Sequence, residues 1–153
     1  MQAPGLQGPL GQGPGVSRAF VVHGACDVRA VLGLGCALLS APGAAGYLGH
    51  HGFLAMLRGG GWRGREAAIL DCGADAGWAW AALRDGMPLV VLADGGDAAR
   101  AFPGRVLPEA PPARDMQFWV APRGRGWLEE WAAGAASAGL QPPGPIRKVP
   151  GVA

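Results

Sequence analysis

The stretch that most constrains this chain is Ala67 to Gly95, AAILDCGADAGWAWAALRDGMPLVVLADG, where signals for a strand, a capped helix and a second strand follow directly on one another. Residues 67–70 are a short apolar run that breaks at Asp71-Cys72-Gly73, as a buried strand does on reaching the edge of its sheet. Asp75 is placed to cap a helix in which Trp78, Ala79, Ala82 and Leu83 recur at helical spacing. Gly86 stands where a left-handed residue closes a helix, and Pro88 follows it. Leu89 to Leu92 reads as the next buried strand. The product is a βαβ unit, which commits the chain to a parallel sheet.

The flanking sequence repeats the pattern more weakly. Ala19 to Val22 reads as a strand ending at His23-Gly24, with Asp27 as the expected N-cap of a helix through Val28, Val31 and Leu32. Cys36 to Leu39 is a second strand, running out at Ser40-Ala-Pro-Gly43. Tyr47, Leu48, Phe53, Leu54 and Leu57 then suggest a helix that Gly46, Gly49 and Gly52 weaken at its start. Asp97 to Phe102 is a short helical piece, and Arg105 to Leu107 a further short strand. From Pro108 the chain reads as a loop anchored by Met116-Gln-Phe-Trp119, followed by a last helix with Trp127, Leu128 and Trp131 on one face. The expected fold is an α/β domain with a small parallel sheet of about four strands and flanking helices, flavodoxin-like or resembling half of a βα barrel. Its expected limits are 18–139, between a Gly/Pro leader over 1–17 and a Pro-rich basic tail over 140–153.

Composition narrows the function classes. A chain of 153 residues suits one domain. Its 28 Gly, 4 Phe and single Tyr make a small-grained core, so the six Trp carry much of the bulky packing. A net charge of +2, with one Lys, is too weak to argue for nucleic acid. Three Cys, at positions 26, 36 and 72, match no zinc or disulfide spacing, and a reducing, cytoplasmic setting is the default. Ala30 to Leu57 carries no charged side chain and is long enough to span a bilayer. Pro42, Ser40, six Gly and the pair His50-His51 interrupt it, however, and a turn, strand and helix describe it better than a membrane segment.

In a parallel sheet every strand finishes on one side, and ligands bind outside those carboxyl ends. The residues delivered there are His23, Ser40, Asp71 with Cys72, Asp94 with Gly95 and Gly96, and Glu109 beyond the last strand. Ser40, Asp71, Asp94, Gly95 and Gly96 are the candidate ligand-binding residues, and Asp71, Cys72 and His23 the candidate catalytic ones. A strand-end carboxylate can orient a hydroxyl or accept a proton. Cys72 could act as a nucleophile if a helix start and a base lowered its pKa. Against each stands the plain role of turn or cap, and for Cys72 that of inert packing. Asp94-Gly-Gly-Asp97 offers free amides of the kind that take a phosphate, but its two acids oppose an anion. His50 and His51, adjacent on a helix, point to different sides and need a partner from elsewhere to share a metal, so neither metal nor cofactor is expected.

Ser40-Ala-Pro-Gly-Ala-Ala-Gly-Tyr47 and Leu70-Asp-Cys-Gly73, with the helix end Ala-Leu-Arg-Asp-Gly86, resemble a group of short α/β proteins from GC-rich bacteria. The resemblance covers roughly residues 20–95 and implies an α/β core. It implies no activity. The expected function is therefore small-molecule binding at the carboxyl ends of the strands, with a phosphorylated metabolite as one ligand class and with or without catalysis. The alternatives are a non-catalytic module that dimerises or docks through Trp78, Trp80, Trp127 and Trp131, and a Cys72-dependent hydrolase or transferase.

Overall fold

Short apolar runs separated by glycine-rich turns become six parallel strands in the computed structural model, which describes residues 16–118 and 124–134. In chain order these are β1 (Ala19–Val21), β2 (Ala37–Leu39), β3 (Ala68–Asp71), β4 (Leu89–Val91), β5 (Val106–Leu107) and β6 (Ala113–Asp115). The helices are α1 (Ala25–Val31), α2 (Gly49–Gly59), α3 (Ala76–Arg84), α4 (Gly96–Ala101) and α5 (Gly124–Ala132), and a 3-10 turn, Ala44–Gly46, precedes α2. All but the last two residues of the expected leader, the whole of the expected tail, and Trp119 lie outside the described residues. So do residues 120–123, which lead into α5.

The sheet order is β5-β4-β3-β2-β1-β6, with every pairing parallel. Two strands exceed the expected count of about four, and the difference comes mainly from β6. Its Ala113-Arg114-Asp115 has no apolar run to announce it, because an edge strand that is only half-buried does not need one. From β1 to β5 each strand lies beside its predecessor. Right-handed crossovers that always step the same way put every connecting helix on one face. One apolar cluster accordingly joins Phe20, Val22, Leu38, Leu70, Val90 and Leu92 to residues of all five helices. The flavodoxin order 2-1-3-4-5 would have put helices on both faces; the order observed is sequential from β1 to β5, with β6 added beside β1.

The other face carries Ala19, Val21, Ala37, Leu39, Ile69, Leu89 and Val91, and no described helix packs on it. Its shape follows from the β5–β6 link. Leu107 to Ala113 is six Cα steps, reaching at most about 20–22 Å, whereas six strands laid flat span about 24 Å from edge to edge. The sheet is therefore curled rather than flat, with the mostly exposed link 108–112 crossing between its edges.

Local signals explain most element ends. Asp75 Oδ1 accepts the Trp78 amide at 3.1 Å and caps α3, and Gly86, at φ +92°, turns the chain out of it. Asp27 differs from expectation. The cap position of α1 is Gly24, and Asp27, in the first turn, reaches back to accept the His23 amide at 2.8 Å. Packing of α2 on α1 depends on Gly60, where an added Cβ would lie 2.4 Å from Val28 Cβ. The segment 30–57 resolves into the end of α1, β2, the 3-10 turn and most of α2, and no described helix is long and apolar enough to cross a membrane. Trp127 and Trp131 on α5 are half-buried against the main core, with the Arg114 guanidinium over both rings and that of Arg18 over Trp131.

Candidate functional site

The carboxyl ends of the strands hold two polar arrangements and a third, separate station. Over the middle of the sheet, Ser40 follows β2 and Asp71 ends β3. Ser40 is buried, and its Oγ accepts the Asp71 amide at 2.8 Å while donating to the Ala41 carbonyl at 3.1 Å. Asp71 Oδ1 in turn accepts the amides of Gly43 at 3.1 Å and Gly73 at 2.8 Å. These bonds tie the loop after β2 to the loop after β3. The βα steps that begin at β2 and β3 are thus knotted to one another.

Cys72 follows Asp71 in the chain and is buried. Burial, then the Asp71 and Asp75 carboxylates, pushes its thiol up to about 12. The thiol is protonated at neutral pH, the opposite of what a nucleophilic cysteine requires. His23, the imidazole at the same edge, does not serve as its base: the Cys72 sulfur faces the Leu70 carbonyl at 3.8 Å, and His23 is engaged with Asp115.

His23 follows β1, and its Nε2 lies 2.6 Å from Asp115 Oδ1 at the end of β6. A carboxylate only accepts, so Nε2 bears the proton and Nδ1 of the neutral ring is left as an acceptor. Among the described residues nothing hydrogen-bonds to that Nδ1. Asp115 Oδ1 is steadied by the Gln117 amide at 2.8 Å. Both side chains are about one-third exposed, 32% for His23 and 30% for Asp115. The sequence named His23 but missed Asp115, because β6 itself was not legible.

Asp94, Gly95 and Gly96 form the third station, past the end of β4. Asp94 is exposed and α4 is only six residues long, with Asp97 paired to Arg100 at its start. Three strand spacings, about 14 Å, separate β4 from β1. Of the residues expected to share one pocket, Ser40, Asp71 and Cys72 lie at the ends of β2 and β3 and Asp94 to Gly96 one strand further along, where the Ala93 amide donates to the Gly73 carbonyl at 2.8 Å. Glu109 lies in the exposed β5–β6 link. A depression of about 370 Å³ opens at the opposite end of the strands, lined among others by Arg18, Gly33, Gly35, Arg65 and Glu66. Arg18 there is committed to the Trp131 carbonyl at 2.9 Å, and Glu66 to the Gly33 amide at 3.1 Å. Arg18 thus ties the start of β1 to the end of α5, and Glu66 ties the approach to β3 to the loop after α1.

A separate cluster lies on the helical side. His50 and His51 open α2, Asp85 caps the end of α3, and Asp85 Oδ2 is 2.7 Å from His50 Nε2 and 3.4 Å from His51 Nε2. The hydrogen bond from His50 holds the Asp85 carboxyl below its ordinary range. The expectation that the two imidazoles diverge is corrected here: their ring centroids are 4.0 Å apart.

These features define the class: an α/β protein with a curled, singly wound parallel sheet and a polar carboxyl edge. Comparison with protein-family models, with curated proteins and with solved structures finds no match to this chain.

Proposed function

We propose that the protein binds a small polar molecule over the carboxyl ends of its strands, centred on His23 and Asp115. The observation that carries this reading is the oriented, partly exposed imidazole whose Nδ1 is unengaged among the described residues, beside a knot in which Ser40 Oγ and Asp71 Oδ1 already hold three backbone amides. Nδ1 would accept a hydrogen bond, or a proton, from a ligand hydroxyl or amine. Asp27, Asp71, Asp94, Asp97 and Asp115 gather at this edge with few cations, so hydroxylated or amine-bearing ligands suit it better than phosphorylated ones. Asp94 is within reach only of an extended ligand.

The test is a thermal-shift screen of polyols, short amines, hydroxy acids and phosphorylated sugars. A ligand at a hundred times its dissociation constant adds about 2.7 kcal/mol, a visible rise in melting temperature. The expected hit comes from the hydroxylated or amine set and is lost in His23→Ala. A hit indifferent to both His23→Ala and Asp115→Asn would put the binding site elsewhere. Thiol labelling checks the cysteine alternative: at neutral pH Cys26, which is exposed, reacts in the folded protein, and Cys72 reacts only after unfolding. Rapid labelling of Cys72 in the native state would restore it as a candidate nucleophile.

Exposed apolar side chains favour the second reading, an interaction module. They are not on α5, whose Trp127 and Trp131 are taken up within the chain. Tyr47 (72% exposed) and Leu48 (39%) follow the 3-10 turn, and Trp78 (42%) is on α3, against which that turn packs. A concentration-dependent mass in analytical ultracentrifugation, abolished by Trp78→Ala, is the result this reading expects.

A further inference from the structure

The geometry points to a surface site for a divalent transition-metal cation formed by His50, His51 and Asp85, independent of the strand-end reading. Consecutive residues on a helix project roughly 100° apart. His50 and His51 nevertheless bring their rings to 4.0 Å between centroids, tilted by 41°, and aim both Nε2 atoms at one carboxylate oxygen. His50 has little freedom, its side chain being 8% exposed, whereas that of His51 is 80% exposed and still turns inward. The three ligand atoms lie within 4.8 Å of one another.

The spacings suit an ion. Donors on a tetrahedral zinc, at bond lengths of about 2.0–2.1 Å, stand roughly 3.3 Å apart, and neighbouring donors on an octahedral ion of that bond length roughly 2.9 Å apart. The two nitrogen–oxygen separations, 2.7 and 3.4 Å, need only small side-chain movements to fit either. Two imidazoles and one carboxylate select Zn²⁺, Co²⁺, Ni²⁺ or Cu²⁺ over Mg²⁺ and Ca²⁺. Asp85 adds the negative end of α3, and the positive start of α2 and the neighbouring Arg84 oppose it. Three protein donors leave at least one position for water, the arrangement of an open site rather than a closed structural one. The sequence hid it because Asp85 is 34 residues past His51 and its approach depends on how α2 lies against α3.

The full-length chain, freed of metal by chelation, is titrated calorimetrically with ZnCl₂ and spectroscopically with CoCl₂ at neutral pH. The expected result is one ion per chain, with a cobalt spectrum showing nitrogen and oxygen but no thiolate ligands. Losing even an outer partner of a metal ligand typically weakens binding 10–100-fold. His51→Ala and Asp85→Asn should therefore each weaken it at least about 10-fold, while the metal-free His51→Ala protein melts as the parent does. Equal affinity in parent and His51→Ala, or binding lost instead on Cys26→Ser, would overturn the site, as would the absence of stoichiometric binding. Replacement of the buried His50 is unnecessary to the test.

Discussion

The two polar arrangements at the carboxyl edge are built from similar parts and do opposite work. Over β2 and β3, Ser40 and Asp71 accept three backbone amides between them. Over β1 and β6, His23 and Asp115 face one another, with a ring nitrogen and a share of surface left over. The difference is depth. In the middle of the sheet Ser40 is buried, and the Asp71 amide it accepts finds its partner within the protein. At the flank, water or a ligand can supply that partner. Polar residues at the centre of a parallel edge are thus drawn into holding loops, and those at its flank stay available for binding.

The largest expected effect is from breaking the central knot. Asp71→Ala removes a charged acceptor of two amides, each such bond being worth about 1.5–3 kcal/mol where water cannot take over. Gly43 is exposed and recovers part of its share. A loss of about 2–4 kcal/mol in urea unfolding is expected, and Asp71→Asn, which keeps an acceptor, should lose clearly less. Ser40→Ala comes next, at about 1–3 kcal/mol, because the Asp71 amide is left unpartnered beneath a buried side chain. Stability unchanged by either substitution would mean the knot holds nothing.

The members of the knot were legible in the sequence, and the knot was not. An apolar run ending in Ser40 or Asp71 announces a strand end whatever the strand's neighbours. Their hydrogen bond depends on β2 and β3 being adjacent, which a pattern of runs does not encode. The central βαβ unit was read nearly to the residue because Asp75, Gly86 and Pro88 punctuate it with local chemistry. β6 escaped notice for the converse reason: two prolines precede it, its residues are Ala, Arg and Asp, and only pairing with β1 makes it a strand. Asp115 escaped with it, and Asp85 was read only as part of a helix end.

Cys72 allows the closed character of the centre to be measured without disturbing the knot. Its thiol is raised in the folded state from the ordinary value of 9.0 to about 12, first by burial and then by Asp71 and Asp75. A raised pKa contributes stability that is whole below the unfolded value. As pH climbs through the window from about 9 to about 12 the unfolded chain ionises first, and that contribution drains away. One proton sets a slope of at most about 1.4 kcal/mol per pH unit. Cys36 is raised by burial too, so the comparison is made in a Cys36→Ala background. There, Cys72→Ala should flatten the alkaline fall in stability. A fall of the same steepness with and without Cys72 would show that the centre is as wet as the flank.

The smallest effect on stability belongs to the flank, and its smallness is the point. A hydrogen bond between side chains that are both about one-third exposed is worth no more than a surface pair, roughly 0–1 kcal/mol. His23→Ala and Asp115→Asn should therefore unfold within about 1 kcal/mol of the parent, while ligand-induced stabilisation disappears from the first and weakens in the second. Asp115 acts on the ligand only through the orientation of the imidazole, so His23→Ala must be the more damaging of the two for binding even if the two are alike in stability. The reverse order, with Asp115→Asn abolishing binding and His23→Ala sparing it, would make the carboxylate the contact and the histidine its support. A loss of several kcal/mol in either variant would erase the distinction between centre and flank, since both arrangements would then be holding the edge together.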